Sequence, residues 1–435
     1  MTVSRRAFLT RSVSGAVGLG LFGTAVLLPT PALAGGADDF GALLPPDTNG
    51  LRLPPGFRSR ILARSGQTVA LTGSPSGSAA GRIWHANPDG GATFAAPNGG
   101  WVYVSNAESL TTGTGGVGVI RFDAGANVVD AYRILSGTTR NCAGGKTPWQ
   151  TWLSCEETPT GRVWECNPFA IGSHGTARPA LGVFQHEAAA VDPVHQKLYL
   201  TEDRTDGLLY RFTSTAYPSL AEGVLEVAQI LDPNGLGAIV PGQSRPLAWH
   251  AVPDPLATHA ETRLQVALAT RFIGGEGIDY HANPHAGQPG GQIYFSTKGD
   301  DRVWQIDTAT DRISIRYDRA TTPGSPLSGV DNVFVTPSGD IYVAEDPGDL
   351  QIVALTTTGQ IKPIVQVLGQ AGSEITGPAL SPDGRRLYFS SQRSPGTTYE
   401  VEGPFLGPTA AALGSLSGLT LAGALGAIAA RHLIV

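Results

Sequence analysis

VDNVFVTPSGDIYVAEDPGDLQIVALT, residues 330–356, sets short apolar runs against turn chemistry. Two runs of β-branched and aromatic residues are joined by Thr-Pro-Ser-Gly, and a third follows Asp-Pro-Gly. Such a pattern predicts strands linked by tight turns. The run DIYVAEDPG at 340 has relatives along the chain: WVYVSNAES at 101, WQTWLSCEE at 149, KLYLTEDR at 197, QIYFSTKGD at 292 and RLYFSSQRS at 386. Most are followed by another short strand (GVIRFD, RVWECNP, LLYRF, RVWQID, IVALT, TTYEV). Several are preceded by a Gly-rich or acidic segment (CAGGKTP, FQHEAAAVDP, GGEGIDY, VDNVFVTPSG, ITGPALSPDG). The units recur about every 45 to 50 residues, the spacing of propeller blades, except where an insertion around 214–262 nearly doubles one interval. The expected fold is therefore all-β, a six-bladed β-propeller with a loop insertion between the third and fourth repeats. Two separate β-sandwiches would not produce the regular spacing or the recurring TPSGD and SPDGR turns.

Composition agrees with this reading. The 435 residues include 57 Gly and 32 Pro, and only 15% are charged, which favours short strands and turns over a helical bundle. Net charge is -6 and the 30 Lys and Arg are scattered, so a specific nucleic-acid partner is excluded. Arg5 and Arg6 precede an apolar run that ends in Ala32-Leu33-Ala34, which reads as a twin-arginine signal over 1–34 and implies export to a periplasmic, extracellular or envelope location. Residues 35–89 are then an N-terminal extension packing on or closing the propeller, and 90–405 the propeller itself. No charged residue occurs from Phe405 to Ala430, and Arg431 and His432 close the run. The tail 406–435 reads either as a membrane anchor or as a disordered or surface-packed segment. The three cysteines allow a Cys142–Cys166 disulfide with Cys155 spared, or three free thiols.

Strand ends in a propeller converge on the central channel, so acids distant in sequence become neighbours. The segments before the strands supply Glu187, Glu276, Asp331, Asn332 and Glu374; the strands add Cys155, Glu156, Glu157, Glu202, Asp203, Glu345 and Asp346. So many acids in one channel repel one another unless cations are present, which points to a multinuclear metal centre. Carboxylates suit Ca²⁺, whereas the thiolate of Cys155 implies a softer or redox-active ion. Asp192, Asp340 and Asp383 read as turn residues, and Glu157 reads either as a site residue or as a brace for its turn. Among the histidines, His186 beside Glu187 is the candidate; His281 and His285 sit in a Gly/Pro-rich loop. No G-x-S-x-G elbow, P-loop or paired C-x-x-C occurs, so serine hydrolases, nucleotide binders and zinc fingers lack support.

NCAGGKTPWQTWLSCEET, FQHEAAAVDP, LYLTEDRTDGLLYRF, GGEG, VDNVFVTPSGDIYVAEDPG and SEITGPALSPDGRRLYFSSQ together resemble the PhoX family of bacterial alkaline phosphatases, in order from about residue 90 to Phe405. The resemblance implies a propeller exported by the twin-arginine route with an iron and calcium cluster, Fe³⁺ and Ca²⁺, at the channel mouth. It assigns the iron-binding cysteine of the CEE motif to Cys155. Glu156, Glu187, Glu202, Asp203, Glu276, Glu345 and Asp346 become the carboxylate pool, with Glu374 a further calcium ligand. Clustered cations would bind phosphoryl oxygens, so no protein nucleophile is needed. One departure stands out: where the family pattern leads us to expect a phosphate-clamping arginine two positions before Glu276, this chain has Gly274. The nearest arginine is Arg271; either Arg204 or Arg393 substitutes as the phosphate contact, or the substrate differs. The expected activity is hydrolysis of phosphate mono- or diesters by a monomer. Two rival readings stand beside it, a calcium lactonase-like propeller using Glu187, Asp331 and Asn332, and a non-catalytic metal-binding envelope propeller; a lactonase has no use for a thiolate.

Overall fold

The structure, a computed structural model, describes residues 36–73, 82–172, 175–232, 239–282, 289–393 and 395–405. The predicted signal segment, the apolar tail and His285 lie outside the described residues. In chain order, β1 (Leu51–Arg52) and β2 (Arg58–Arg64) come first, followed by β3 to β6 (Pro88–Ala95, Trp101–Ala107, Gly115–Phe122, Val128–Thr138). Next are β7 to β10 (Asn141–Lys146, Trp152–Glu156, Val163–Cys166, Thr176–Ala177) and β11 to β15 (His186–Asp192, Lys197–Glu202, Leu209–Ser214, Gly223–Ile230, Ser244–Ala251). Then come β16 to β19 (Gly275–Ala282, Gly291–Thr297, Arg302–Asp307, Arg312–Asp318) and β20 to β23 (Val330–Val335, Ile341–Glu345, Gln351–Leu355, Ile361–Val367). The last are β24 to β26 (Ile375–Leu380, Arg386–Ser391, Thr397–Glu402).

The fold is all-β and propeller-like, its helices confined among the described residues to single 3₁₀ turns. Each unit is an antiparallel meander whose first strand lies innermost. The first strands β3, β7, β11, β16, β20 and β24 pack side by side, and β24 returns to β3. Because neighbours cover them on both sides, these strands are apolar or small at nearly every position; all of β11 and β24 is buried. Apolar clusters fill the spaces between successive sheets. Cys166, Trp152 and Ile134 pack between the first two units, and Tyr388 meets Tyr103 and Phe122 where the last unit meets the first. There the Trp101 indole donates to the Tyr388 hydroxyl at 2.9 Å. The N-terminal strands complete the last two sheets: β1 pairs with β23 and β2 with β26.

Six separate blades are not what forms. The described strands make five sheets: β3–β6, β7–β10, β20–β23 with β1, β24–β26 with β2, and one nine-stranded sheet in the order β11-β12-β13-β14-β15-β19-β18-β17-β16. The segment expected to be an inserted loop is the cause. It contains β14, the outer strand of the third meander, and β15, which pairs with β14 through Leu247–Ala251 and with β19 through Ser244–Pro246. One strand with both edges satisfied thus joins two meanders that would otherwise end in open edges. The first and last strands of this sheet, β11 and β16, also lie against each other.

All three cysteines are free thiols, so the Cys142–Cys166 disulfide does not form. Cys166 is packed in the apolar layer beside Trp152. Among the described residues no helix is long and apolar enough to cross a membrane.

Candidate metal centre

The second residue of a first strand is Asp89 in β3, Cys142 in β7, Glu187 in β11, Glu276 in β16, Asp331 in β20 and Thr376 in β24. Just past it, in all six strands, the register against the neighbouring strand shifts. A bulge of this kind breaks the strict alternation of side chains and re-aims a residue at the strand end. The strands approach one another so closely there that side chains must be small: a Cβ at Gly90 would fall 2.5 Å from Ala143 Cα. A second set comes from the residue immediately after the second strand of each unit: Glu108, Glu157, Asp203, Lys298, Asp346 and Gln392.

These positions converge. Ligand atoms of Asp89, Glu108 and Cys142 lie within 4.8 Å of one another, as do those of Cys142, Glu157 and Glu187, of Glu187, Glu276 and Asp331, and of Asp331, Asp346 and Glu374. Shared members link the four groups into one curved acidic surface. Hydrogen bonds hold much of it in place. Gln392 Nε2 donates to Asp89 Oδ2 at 2.5 Å and Glu108 Oε2 at 2.9 Å, and Arg140 bridges Glu108 at 3.0 Å and Glu157 at 2.8 Å. Asn332 donates to Asp331 Oδ1 at 2.8 Å while its own oxygen accepts from the Gly377 amide at 2.8 Å. Lys298 Nζ stands 3.0 Å from Glu276, 3.1 Å from Asp346 and 3.5 Å from Asp331. Arg393 pairs with Glu374 at 2.7 Å. Two buried carboxylate oxygens of the surface, Glu187 Oε1 and Glu276 Oε1, accept no hydrogen bond among the described residues; Glu276 has the Lys298 ammonium at 3.0 Å, whereas Glu187 has no protein cation beside it.

Burial, and then the neighbouring carboxylates, raise the pKa of Glu187 and of Asp89 well above the carboxylate range. Glu276 is raised too, mainly by burial, against the pull of Lys298. Glu157 is pushed up to about 8 by burial, with Arg140 opposing, and Glu374 to about 11 by burial and its hydrogen bond with Asp346. Asp346 moves the other way, because its bond with Glu374 and the Lys298 charge outweigh its burial. Burial likewise holds the Cys142 thiol protonated, and the adjacent acids add to the effect. Cations placed here would reverse these shifts, and a coordinating thiol is deprotonated outright.

Several expected ligands lie elsewhere. The thiol among the converging groups is Cys142, not Cys155: the Cys155 side chain is fully buried among Leu153, Val163, Phe184 and Leu200, and burial pushes its thiol up. It precedes the strand end by one residue, so its side chain falls on the apolar face between sheets. Glu156 accepts from the Thr139 amide at 3.0 Å and the Trp164 indole at 2.8 Å. Glu202 accepts from the Leu208 amide and the Tyr210 hydroxyl, and Glu345 from the amides of Ser328, Asp349 and Gln351. Glu202 and Glu345 close the turns after their strands, Glu156 ties β8 to the segment before β7 and to β9, and none of the three is part of the acidic surface. Asp203, one residue later, faces Lys298 and Glu157. Asn332 positions Asp331 and Gly377. His186 turns away, stacked on Phe184 at 3.6 Å with Nε2 3.1 Å from the Gly182 carbonyl. Arg271 is engaged by the carbonyls of Asp206 and Arg263, and Arg204 lies 4.0 Å from Asp206, so neither contacts the surface. Asp192 and Asp383 close their turns, and Asp340 binds the amides of Ala37 and Thr357.

Sequence reasoning missed Asp89, Glu108, Cys142 and Lys298 and left Glu157 between a site residue and a turn brace. The signal was the parity of the paired letters. In CEE, TED and AED the first acid, the last residue of its strand, turns away and the second faces the centre, and in NAES and TKG the residue just past the strand, Glu108 or Lys298, faces it too.

The residues match the profile of alkaline phosphatase PhoX over 109–317 and 258–396. The chain belongs to the PhoX alkaline phosphatase family. Among solved structures, PhoX of Pseudomonas fluorescens in complex with vanadate, a transition state analogue, is 18% identical with a TM-score of 0.66; the match covers 84% of this chain and 98% of that one. At that identity the likeness speaks for the fold. A gluconolactonase from Xanthomonas campestris is 12% identical with a TM-score of 0.42 over 83% of this chain and 98% of its own, too low to carry an argument. None of the curated proteins matches this PhoX-family chain.

The PhoX-family reading implies a metal cofactor, and the donor set suits one. The unpartnered Glu187 oxygen, buried beside a thiol and further carboxylates within 4.8 Å, is what a cation would satisfy.

Proposed function

We propose that the protein is an exported, metal-dependent phosphatase that hydrolyses phosphate mono- or diesters. The observation that carries this is the buried Cys142–Glu187 cluster, with an unsatisfied carboxylate oxygen, in a chain of an alkaline phosphatase family. Asp89, Glu108, Cys142, Glu157, Glu187 and Glu276 would hold the metals. Hard carboxylate oxygens suit Ca²⁺, and the thiolate suits iron, so Fe³⁺ and Ca²⁺ are the cofactors we assign. Bound there, they supply Lewis-acid neutralisation of phosphoryl charge.

The protein's own groups prepare that chemistry. Arg140 and Gln392 orient the acids on one side, and Asn332 orients Asp331 on the other. Arg393, 41% exposed at the rim, offers an anionic substrate a positive charge as it enters. Cys142 counts against a calcium lactonase, which needs no thiolate. The nine-stranded sheet we count as two blades fused through β15, giving six around the channel. Residues 1–34 we assign to twin-arginine export and the mature protein to the cell envelope or beyond, as a monomer.

Elemental analysis of natively exported protein, with p-nitrophenyl phosphate turnover before and after chelation, tests this reading. Iron and calcium with chelator-sensitive turnover are expected. Turnover that survives complete removal of metal would overturn it.

A further inference from the structure

In five of the six units the residue after the second strand is a carboxylate or an amide: Glu108, Glu157, Asp203, Asp346 and Gln392. In the remaining unit it is Lys298. Its ammonium reaches Glu276 on its own unit at 3.0 Å, and Asp331 and Asp346 on the next at 3.5 and 3.1 Å. Three carboxylates from three separate elements thus face one cation whose three N–H donors match them in number. The backbone at its base is fixed as well: the Lys298 amide donates to the Gly274 carbonyl at 2.8 Å. Gly274 is itself in the left-handed region (φ +67°), where a side chain is disfavoured, and a Cβ there would stand 3.7 Å from Lys298 Cβ and 3.3 Å from Asp203 Oδ1. The backbone conformation and the close Asp203 carboxylate thus favour glycine beside the base of the lysine.

The opposite side of the surface differs. Arg140 serves Glu108 and Glu157 there, but among the described residues no protein cation touches Glu187, and its Oε1 is the orphan. Arg393 adds a second positive charge on the Lys298 side by pairing with Glu374. Built-in cations thus gather where Asp331, Asp346 and Glu374 meet; on the Cys142 side Arg140 is taken up by Glu108 and Glu157, and none reaches Glu187.

We propose that Lys298 is a resident cation of the centre, its ammonium filling the Glu276–Asp331–Asp346 position that a metal ion would otherwise take, so that metal is confined to the Cys142–Glu187 side. The second half of this inference rests on the metal-centre reading above; the first half does not. A divalent ion and an ammonium compete for the same oxygens, and Ca²⁺ prefers them at shorter range, roughly 2.3–2.6 Å. Removing the ammonium while keeping the bulk of the stem should therefore open a calcium site.

The test is metal content of wild type, Lys298→Met and Lys298→Arg after dialysis against Ca²⁺. Lys298→Met should gain about one equivalent of Ca²⁺ over wild type, and Lys298→Arg should gain none. Equal calcium in wild type and Lys298→Met overturns the proposal. Because three carboxylates without a cation could prevent folding, Lys298→Met is prepared in Ca²⁺, and its thermal midpoint should rise with Ca²⁺ more steeply than that of wild type. Asp346→Asn in the wild-type background gives an independent reading: unchanged metal content supports the proposal, and loss of an equivalent overturns it. Wild type without metal beside a Lys298→Met variant that gains calcium would support the resident cation and refute the metal-centre reading. Absence of metal in both would refute both.

Discussion

The two sides of the acidic surface solve one electrostatic problem differently. Around Asp331, Asp346 and Glu374 the charge is answered by Lys298 and Arg393, in contacts of 2.7 to 3.9 Å. Around Glu187 no protein cation among the described residues answers it, Arg140 being engaged by Glu108 and Glu157, and burial and the neighbouring acids raise the proton affinity of Glu187 and of the Cys142 thiol. Both sides are built from equivalent positions of similar units, so one residue type decides whether a sector brings its own cation or waits for one. An uncompensated buried carboxylate is costly in a fold, and a ligand that removes the cost is the usual reason for its presence.

The sharpest way to break the comparison is to exchange the cysteines. Cys142→Ala should lose bound metal and at least about 100-fold in turnover. Cys155→Ala should keep both and lose only about 1 kcal/mol of stability, because it empties a small apolar volume. Elemental analysis and turnover read side by side decide the matter, and the reverse result would return the thiolate ligand to Cys155.

Glutamates one residue apart from a site-facing acid offer a second contrast. Glu345→Ala removes acceptors for three backbone amides and should cost about 2 kcal/mol, seen in denaturant unfolding, without altering metal content. Glu157→Gln, by contrast, should lower metal content. A loss of metal in Glu345→Ala would erase the distinction between turn-closing and site-facing acids.

Proton linkage tests both sides, through Glu157 on one and Glu374 on the other. Glu157 and Glu374 have folded-state pKa values of about 8 and 11, above the ordinary carboxylate value, so the folded apo protein binds protons that the unfolded chain has released. Stability of chelated protein should accordingly be highest near about pH 5 and fall as pH rises through about 8, because ionised acids are then crowded together. Metal should restore stability most at the alkaline end. A thermal midpoint of chelated protein that rises from about pH 5 to 9 would contradict the assigned shifts. The smallest effect is expected at the rim: Arg393→Ala should raise KM for an anionic ester about 3- to 10-fold and weaken its salt dependence, with kcat less affected.

Much of the molecule is legible in the amino-acid sequence. Strand runs, Pro-Gly and Asp-Gly turns and the repeat spacing are local properties, and they single out Glu187, Glu276, Asp331, Asp346 and Glu374, whose carboxylates the fold brings together. The failures have a common origin. Cys142 and Asp89 lie in Gly-rich stretches, NCAGG and PDGG, that look like turns but are the bulged starts of inner strands. Glu157 and Glu156 are adjacent letters with opposite fates, and a side chain's face cannot be known until the bulge and strand end are placed. The stitching of two meanders by β15 is invisible for a similar reason, since both of its edges pair with partners that no local pattern points to.

By itself, then, the sequence determined an all-β repeat protein with acids at strand ends and a family signature running through it, because strand periodicity and turn residues act over a few positions. Tertiary structure alone decided which thiol joins the acids, which acid of each pair faces the centre, and that a lysine from one unit answers carboxylates of the next. Those outcomes depend on the closing of the inner strands into a ring, which brings together residues that no local pattern connects.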